Sequence, residues 1–433
     1  MFLIKLLNYF AILGQSPNEK KSEVTFDNYE CSGIVDTDFP RLCVLLDMLV
    51  FPGVITKRPV TDNRPPGPLI WKQRFLRVEL ESQDPLTAMK LEVFGWKVDD
   101  RIIRVLQKMI PSLSNLRVLY FWQAGLKDRM VKSLMNAIPL CSNLSTVLLE
   151  GNPIPEHSYH LLLSEDSPLT KLSLRNNRIG DEGARLIGLA LSTYKSANRK
   201  LLSLNLNYNS IGDAGAKCIA AGLRWNRTLV SLSLIRNKIG DSGAAHLAAV
   251  LRELALTHEE VVYRRKLLYA INHPEASKKN EKPAASKENG KTNEKASDEK
   301  VPQTEGEKLG NEEKQLSTQE ENPSAAVHEQ VERGRSPLLD AEVTPRDGDL
   351  FAPGNATLVE LDLSYNLITQ RVLPLILTAL EGLPEGEGLQ LLYMHRNRFP
   401  PECETYLKIR EEMISRLTLQ STDFDQNDEK KEE

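Results

Sequence analysis

Three small groups of residues have types and spacings that bear on chemistry. His157 and His160 stand three apart, a separation that puts two imidazoles on one helical face where a metal ion could bind. No third ligand accompanies them, so a plain surface helix is the expected reading. Gly290-Lys291-Thr292 repeats the end of a phosphate-binding loop, but Ala285 stands where the first glycine belongs and no strand precedes it. Tyr120 and Trp122 alternate along a short apolar run, and aromatic rings held out on a strand are typical anchors of protein interfaces. Neither GxSxG nor HExxH occurs, and carboxylates do not cluster on neighbouring strands. The expectation is a chain with no catalytic residue, no cofactor and no metal.

The elements that position Tyr120 and Trp122 are legible as a repeat. Apolar residues recur at offsets 0, 3, 5 and 10, with an asparagine usually at offset 8. The clearest copies begin at Leu169 (LTKLSLRNNRI), Leu201 (LLSLNLNYNSI) and Leu229 (LVSLSLIRNKI). Others begin at Leu144, Leu358 and Leu389, and two degenerate ones begin at Leu86 and Leu116. Offsets 3 and 5 lie on one face of a strand, so leucines go inward and the residues between them go outward. Asn152, Asn177, Asn209, Asn237, Asn366 and Asn397 fall where each strand bends into a loop. There a side-chain amide can both donate to and accept from backbone groups otherwise buried unpaired, and stacked copies are expected to form a ladder. Ile-Gly-Asp-x-Gly-Ala follows at Ile179, Ile211 and Ile239, with glycine for a tight exit and aspartate as the expected helix N-cap. Successive first leucines stand 25 to 32 residues apart outside one long gap, which leaves room for a helix after each strand. Helices are wider than the strand spacing, so the array must curve with its strands inside. The predicted fold class is α/β, a solenoid with an inner parallel sheet and outer helices.

The pattern LxxLxLxxNxIGDxGAxxLAxxL resembles the ribonuclease-inhibitor-like class of leucine-rich repeats from Leu86 to about Leu417. That resemblance implies a horseshoe that binds proteins inside the cell.

Around the repeats the chain divides by composition. Residues 1–23 are read as a flexible start: Met1 to Gly14 is apolar, but Lys5 and Asn8 interrupt it and it is too short to span a bilayer. Residues 24–85, with a helix over Phe39 to Val50, a proline-rich loop over Pro52 to Pro68 and a strand over Phe75 to Leu80, form the expected N-terminal cap. Repeats 1–6 occupy 86–273 and end in an extended helix from Ala244 to about Ile271. Residues 274–345 are charged and poor in apolar residues, which predicts a disordered insertion carrying Ser336-Pro337 and Thr344-Pro345 as phosphorylation candidates. Repeats 7 and 8 with a capping helix fill 346–417, and 418–433 is an acidic disordered tail.

Function is expected on the strand face. The register puts Ala88, Lys90 and Glu92 outward in the first repeat, Tyr120 and Trp122 in the second, and Lys171 and Arg175 in the fourth. Asn207, Tyr208 and Tyr393 follow, and Glu360 and Asp362 make the far end acidic. These residues suit a non-catalytic scaffold or adaptor that holds a protein partner, acting as a monomer with neither nucleic acid nor membrane as partner. The formal net charge of −4 and the lack of a long basic stripe weigh against general nucleic-acid binding. The alternative is an inhibitor or regulator of an enzyme such as a small GTPase. Ribonuclease inhibition is the weaker version, because it calls for many cysteines and an acidic face. Five scattered cysteines without CxxC spacing suggest a reducing compartment, the cytoplasm or a cilium. Sequons at Asn143, Asn226 and Asn355 would matter only in a secreted chain.

Overall fold

The computed structural model describes residues 24–59, 74–192, 199–273, 336–340, 342–384 and 386–429. The expected flexible start, the phosphate-loop mimic and residues 274–335 of the insertion lie outside the described residues. The chain divides into two compact units, one made of 1–252 with 354–433 and the other of 253–353.

The larger unit begins with α1 (Val35–Leu45), which buries Phe39, Leu42 and Cys43. Its cap is organised by Asp38, a fully buried carboxylate that accepts from Tyr29 Oη at 2.8 Å, Ser32 N at 3.0 Å, Ser32 Oγ at 2.9 Å and Gly33 N at 2.9 Å. Four donors are what a buried carboxylate needs to offset lost water. The helix starts and stops earlier than the expected Phe39 to Val50, ending before Asp47, whose φ is 54°. The proline-rich loop also holds a strand, β1 (Gly53–Lys57), which pairs in parallel with β2 (Phe75–Leu80).

β2 runs antiparallel to β3 (Ala88–Phe94), and from β3 onward every neighbour is parallel: β4 (Val118–Trp122), β5 (Thr146–Glu150), β6 (Lys171–Ser173), β7 (Ser203–Asn205) and β8 (Ser231–Ser233). One apolar row crosses them, Leu91, Leu119, Val147, Leu172, Leu204 and Leu232, all buried. That row corrects the first repeat. Leu91 aligns with offset 3 of its neighbour, so the repeat starts at Ala88, which is 1% exposed, rather than at Leu86, which is 46% exposed. Its outward residues are therefore Lys90, Glu92 and Phe94, not Ala88.

Behind the strands lie α2 (Asp100–Met109), α3 (Asp128–Ala137), α4 (Asp181–Leu191), α5 (Asp213–Leu223) and α6 (Asp241–Ala249). The third repeat is the shortest, and a 3-10 segment over Ser158–Leu163 replaces its helix. His157 sits in a left-handed conformation before that segment, and His160 Nδ1 lies 3.1 Å from His157 O, so the two imidazoles do not share a helical face.

The aspartates of the Ile-Gly-Asp motif do not cap their own helices; the glycine before each takes the N-cap position. Asp181 Oδ1 instead accepts from the next repeat's Gly212 N at 2.7 Å and Gly215 N at 2.9 Å, and Asp213 Oδ1 accepts from Gly240 N at 2.6 Å and Gly243 N at 2.9 Å. The motif staples one repeat to the following one. Gly215 is required for it, since a Cβ there would stand 2.7 Å from Asp181 Oδ1 and 2.8 Å from Ile211 Cγ2.

The smaller unit corrects the extended helix. α6 stops at Ala249; then come β9 (Leu254–Ala255) and α7 (His258–Asn272). The break has a local cause, a capping box in which Thr257 Oγ1 accepts from Glu260 N at 3.3 Å and Glu260 Oε2 accepts from Thr257 N at 2.7 Å. A short helix, α8 (Pro337–Asp340), and a hairpin of β10 (Thr344–Arg346) and β11 (Asp349–Ala352) complete the unit, β11 pairing with β9. Asp347 and Gly348 turn the hairpin with φ of 52° and 91°, as a two-residue primed turn requires. Residues 344–353 thus belong to an ordered element of this unit, and the repeat array stops at Arg252 and resumes at Gly354.

In the larger unit β12 (Glu360–Asp362) pairs directly with β8, closing the gap in sequence, and after α9 (Leu373–Glu381) comes β13 (Leu391–Tyr393). α10 (Glu404–Glu429) ends the array and carries the expected acidic tail as helix to Glu429; residues 430–433 lie outside the described residues. Arg416 locks α10 to the last repeat by donating to Leu380 O at 2.8 Å, Leu383 O at 3.1 Å, Pro384 O at 3.2 Å and Glu387 O at 3.3 Å. The architecture is an α/β leucine-rich-repeat solenoid.

Candidate functional site: the strand face

The asparagines fix the strand ends from which the face is built. Asn209 Oδ1 accepts from Asn177 N at 2.9 Å and Ile179 N at 3.0 Å, while its Nδ2 donates to Leu174 O, Leu206 O and Asn207 O. Each such side chain ties its own loop to the repeat before it. Asn152, Asn177, Asn237, Asn366 and Asn397 make bonds of the same kind, and Asn366 accepts from Ile239 N across the 127 residues that separate them in sequence. At offset 7 of all eight repeats, one residue ahead of the asparagine position, the backbone is left-handed: Gly95, Gln123, Gly151, Asn176, Tyr208, Arg236, Tyr365 and Arg396 all have positive φ. Gly95 at that position independently supports the corrected first repeat.

On the face itself the second repeat is aromatic. Trp122 is half-buried and stacks on Phe94 with ring centroids 4.2 Å apart and planes 14° from parallel. Arg77 lies on Phe94 at 5.0 Å from its centroid. Tyr120, also half-buried, donates to Glu150 Oε2 at 3.4 Å, and Lys90 Nζ sits 5.8 Å from its ring centroid while pairing with Glu92. Burial, and then the charge of Glu150, push the Tyr120 phenol up to about 12. Phe94 escapes a reading that opens the first repeat at Leu86, two residues early; the signal that finds it is Gly95 followed by Trp96 in place of the usual asparagine.

The remaining residues of the expected surface separate into groups. Lys171 and Arg175 are exposed, and Arg175 reaches forward to lie 4.5 Å from the ring centroid of Tyr208. Arg236 covers the same ring at 5.4 Å. Asn207 is buried, and its Oδ1 is filled by Ser233 Oγ at 2.7 Å and Ile235 N at 2.8 Å, so it serves as a bracket between repeats. Tyr393 lies in the eighth repeat beside His395, with ring centroids 6.2 Å apart. The fold therefore brings Arg175 and Tyr208 together, keeps Tyr120 and Trp122 as a second cluster nearer the N-terminus, and leaves Tyr393 at the far end.

Two of the three sequons are internal. Asn226 is 1% exposed and Asn355 is fully buried; Asn226 Nδ2 donates to Leu191 O at 2.9 Å and Asn355 Nδ2 donates to Leu223 O at 2.8 Å. All five cysteines are free thiols. Burial pushes Cys43 up to about 12 and Cys141 up to about 11. Among the described residues, no group of three or more His, Cys, Asp or Glu side chains could hold a metal ion, and no helix is long and apolar enough to cross a membrane.

The family model described as "Leucine Rich repeat" matches residues 166–188, 197–220 and 226–248, the three copies with the most regular spacing. Among solved structures, an internalin from Listeria monocytogenes aligns over 77% of this chain and 70% of its own, at 13% identity and a TM-score of 0.31. The chain carries leucine-rich repeats, a fold whose members generally work by binding other proteins.

Proposed function

We propose that this chain is a non-catalytic scaffold or adaptor of the ribonuclease-inhibitor-like repeat class, which grips a protein partner on its strand face. The observation that carries the reading is the Phe94, Trp122 and Tyr120 cluster. Phe94 and Trp122 stack, all three rings are half-buried on the strand face, and Lys90 and Glu150 lie against Tyr120. Aromatic rings held rigid at low entropic cost are the usual energetic centre of an interface. Lys171, Arg175 and Tyr208 extend the surface towards the later repeats, with Tyr393 at its end. The partner binds a single copy of the chain.

An intracellular site of action fits the same structure. Glycosylation of Asn226 or Asn355 would remove a buried amide that bonds helix-end carbonyls, and the thiols stay unpaired. Proximity labelling in native cells, comparing the natural chain with the Tyr120→Ala, Trp122→Ala double variant, tests the reading. Loss of a discrete set of neighbours in the double variant is expected, and an unchanged set refutes the aromatic anchor. Stimulated GTP hydrolysis by any member of a small-GTPase panel would replace the scaffold with an enzyme regulator.

A further inference from the structure

Where the strands of the later repeats end, a row of cations and tyrosines lies along one rim. Offset 7 carries Tyr208, Arg236, Tyr365 and Arg396 in repeats 5 to 8, and offset 9 adds Arg178, Lys238 and Arg398. The offset 7 residues are stacked in register by the backbone: Tyr208 N donates to Ile235 O at 2.8 Å, Arg236 N to Ser364 O at 3.0 Å and Tyr365 N to His395 O at 2.8 Å. Their side chains are exposed, Tyr208 by 40% and Tyr365 by 48%.

Three features set this rim apart from an ordinary charged surface. First, no acidic residue occupies offset 7 or 9 in any of the eight repeats, in a chain with 59 Asp and Glu residues. Second, among the described residues none of Arg175, Arg178, Arg236, Lys238, Arg396 and Arg398 is in an ion pair, although acids lie close in sequence. Those acids are committed elsewhere: Asp181, Asp213 and Asp241 bond the next repeat's backbone, Glu360 accepts from Ser231 Oγ, and Asp362 accepts from Ser364 N. Third, Tyr208, Arg236, Tyr365 and Arg396 adopt φ of 55° to 60°, a region where glycine or asparagine is favoured and a larger side chain is strained. Long side chains are held outward against that strain, and Tyr208 is clasped between two guanidinium groups.

We infer that this rim, which continues the strand face through Arg175 and Tyr208, takes an extended acidic segment of a protein partner. The inference rests on the scaffold reading above and names the chemistry of one of its contacts. Five repeats at the parallel-strand spacing make a rim about 19 Å long, which matches about six residues of extended peptide. Carboxylates every second or third residue would meet Arg175, Arg236 and Arg396 in turn, with the tyrosine rings packing against the stems between them. A nucleic acid fits less well, because its evenly spaced phosphates would also run beside Glu360 and Asp362 on the neighbouring strand, where a peptide with spaced carboxylates can place a neutral residue.

The test uses the full chain and a fluorescein-labelled poly-glutamate peptide of about ten residues, read by fluorescence anisotropy. Poly-lysine of equal length and a labelled oligothymidine serve as competing probes. Arg236→Asn with Arg396→Asn removes two rim cations while keeping a residue type at home in the left-handed region, so the fold is preserved. Arg101→Gln with Lys217→Gln removes the same charge from the helical side. The rim variant should bind poly-glutamate about five- to tenfold more weakly, the helical-side variant should bind as the natural chain does, and added salt should weaken binding throughout. Equal binding by the rim variant, equal loss in the helical-side variant, or oligothymidine binding as tightly as poly-glutamate overturns the inference. If poly-glutamate fails to bind while the Tyr120→Ala, Trp122→Ala variant still loses its cellular neighbours, the rim falls and the scaffold stands.

Discussion

Asn209→Ala removes the most connected rung of the asparagine ladder. The side chain is 8% exposed and makes five bonds, two accepted from Asn177 N and Ile179 N and three donated to Leu174 O, Leu206 O and Asn207 O. Leu206 O keeps Asn237 Nδ2 and Asn207 O keeps Asn176 N, so three backbone groups lose their partner, and at roughly 1 kcal/mol each the substitution should cost about 3 kcal/mol. Asn397 in the last repeat is half-buried and makes one accepted and two donated bonds, of which Leu363 O keeps Asn366 Nδ2 as a second donor, so Asn397→Ala should cost about 2 kcal/mol or less. Asn209→Asp keeps the two acceptors but turns a carboxylate oxygen towards three carbonyls, and it should be at least as damaging as alanine. Urea unfolding followed by circular dichroism measures the loss, and amide exchange at Asn177 and Ile179 localises it, because a repeat array can open locally before it unfolds. A cost for Asn209→Ala below about 1 kcal/mol, or one equal to that of Asn397→Ala, would show that the ladder does not carry inter-repeat stability.

Other outcomes follow from single contacts. Gly215→Ala should destabilise by about 2 kcal/mol by driving a methyl group into Asp181 and Ile211, whereas Gly180→Ala, with nothing within 4 Å of its added Cβ, should be near neutral in the same urea titration. Arg416→Ala leaves four carbonyls without their guanidinium, so α10 should lose exchange protection before the repeats do. Tyr120 should ionise near pH 12, seen as phenolate absorbance, and Glu150→Gln should lower that midpoint without restoring the ordinary value, since burial is the larger cause. Because the folded state holds this phenol protonated, its contribution to stability is complete below the ordinary tyrosine range and is lost as pH climbs towards 12.

The regular repeats were legible in the sequence because their pattern is local. A strand of alternating leucines, an asparagine at its end and a glycine turn all lie within about a dozen residues of one another, and periods of 2.0 and 3.6 mark them. The Leu169, Leu201 and Leu229 copies are placed to the residue for that reason, and the Leu358 copy, which carries the same spacing, pairs as β12 with β8. Where the pattern decays, so does the inference. At the first repeat Leu86 imitates the opening leucine, and only the register of β3 against β4 shows that Ala88 fills the place, which moved Phe94 onto the face.

Composition and periodicity by themselves determined the solenoid, its inward leucines and the residue types offered outward at each strand, since those depend on which face of a strand a residue occupies. The tertiary structure alone decided which of them meet. Asp181 looked like a cap for its own helix, but its carboxylate reaches the following repeat; the helix after Ala244 looked continuous, but Thr257 and Glu260 restart it. Arg175 and Arg236 come from different repeats to enclose Tyr208, and Asn207 is consumed by its neighbours. The reason is range: side-chain partners one repeat away are 25 to 32 residues distant in the chain, beyond the reach of any local preference, and stacking in three dimensions is what sets them side by side.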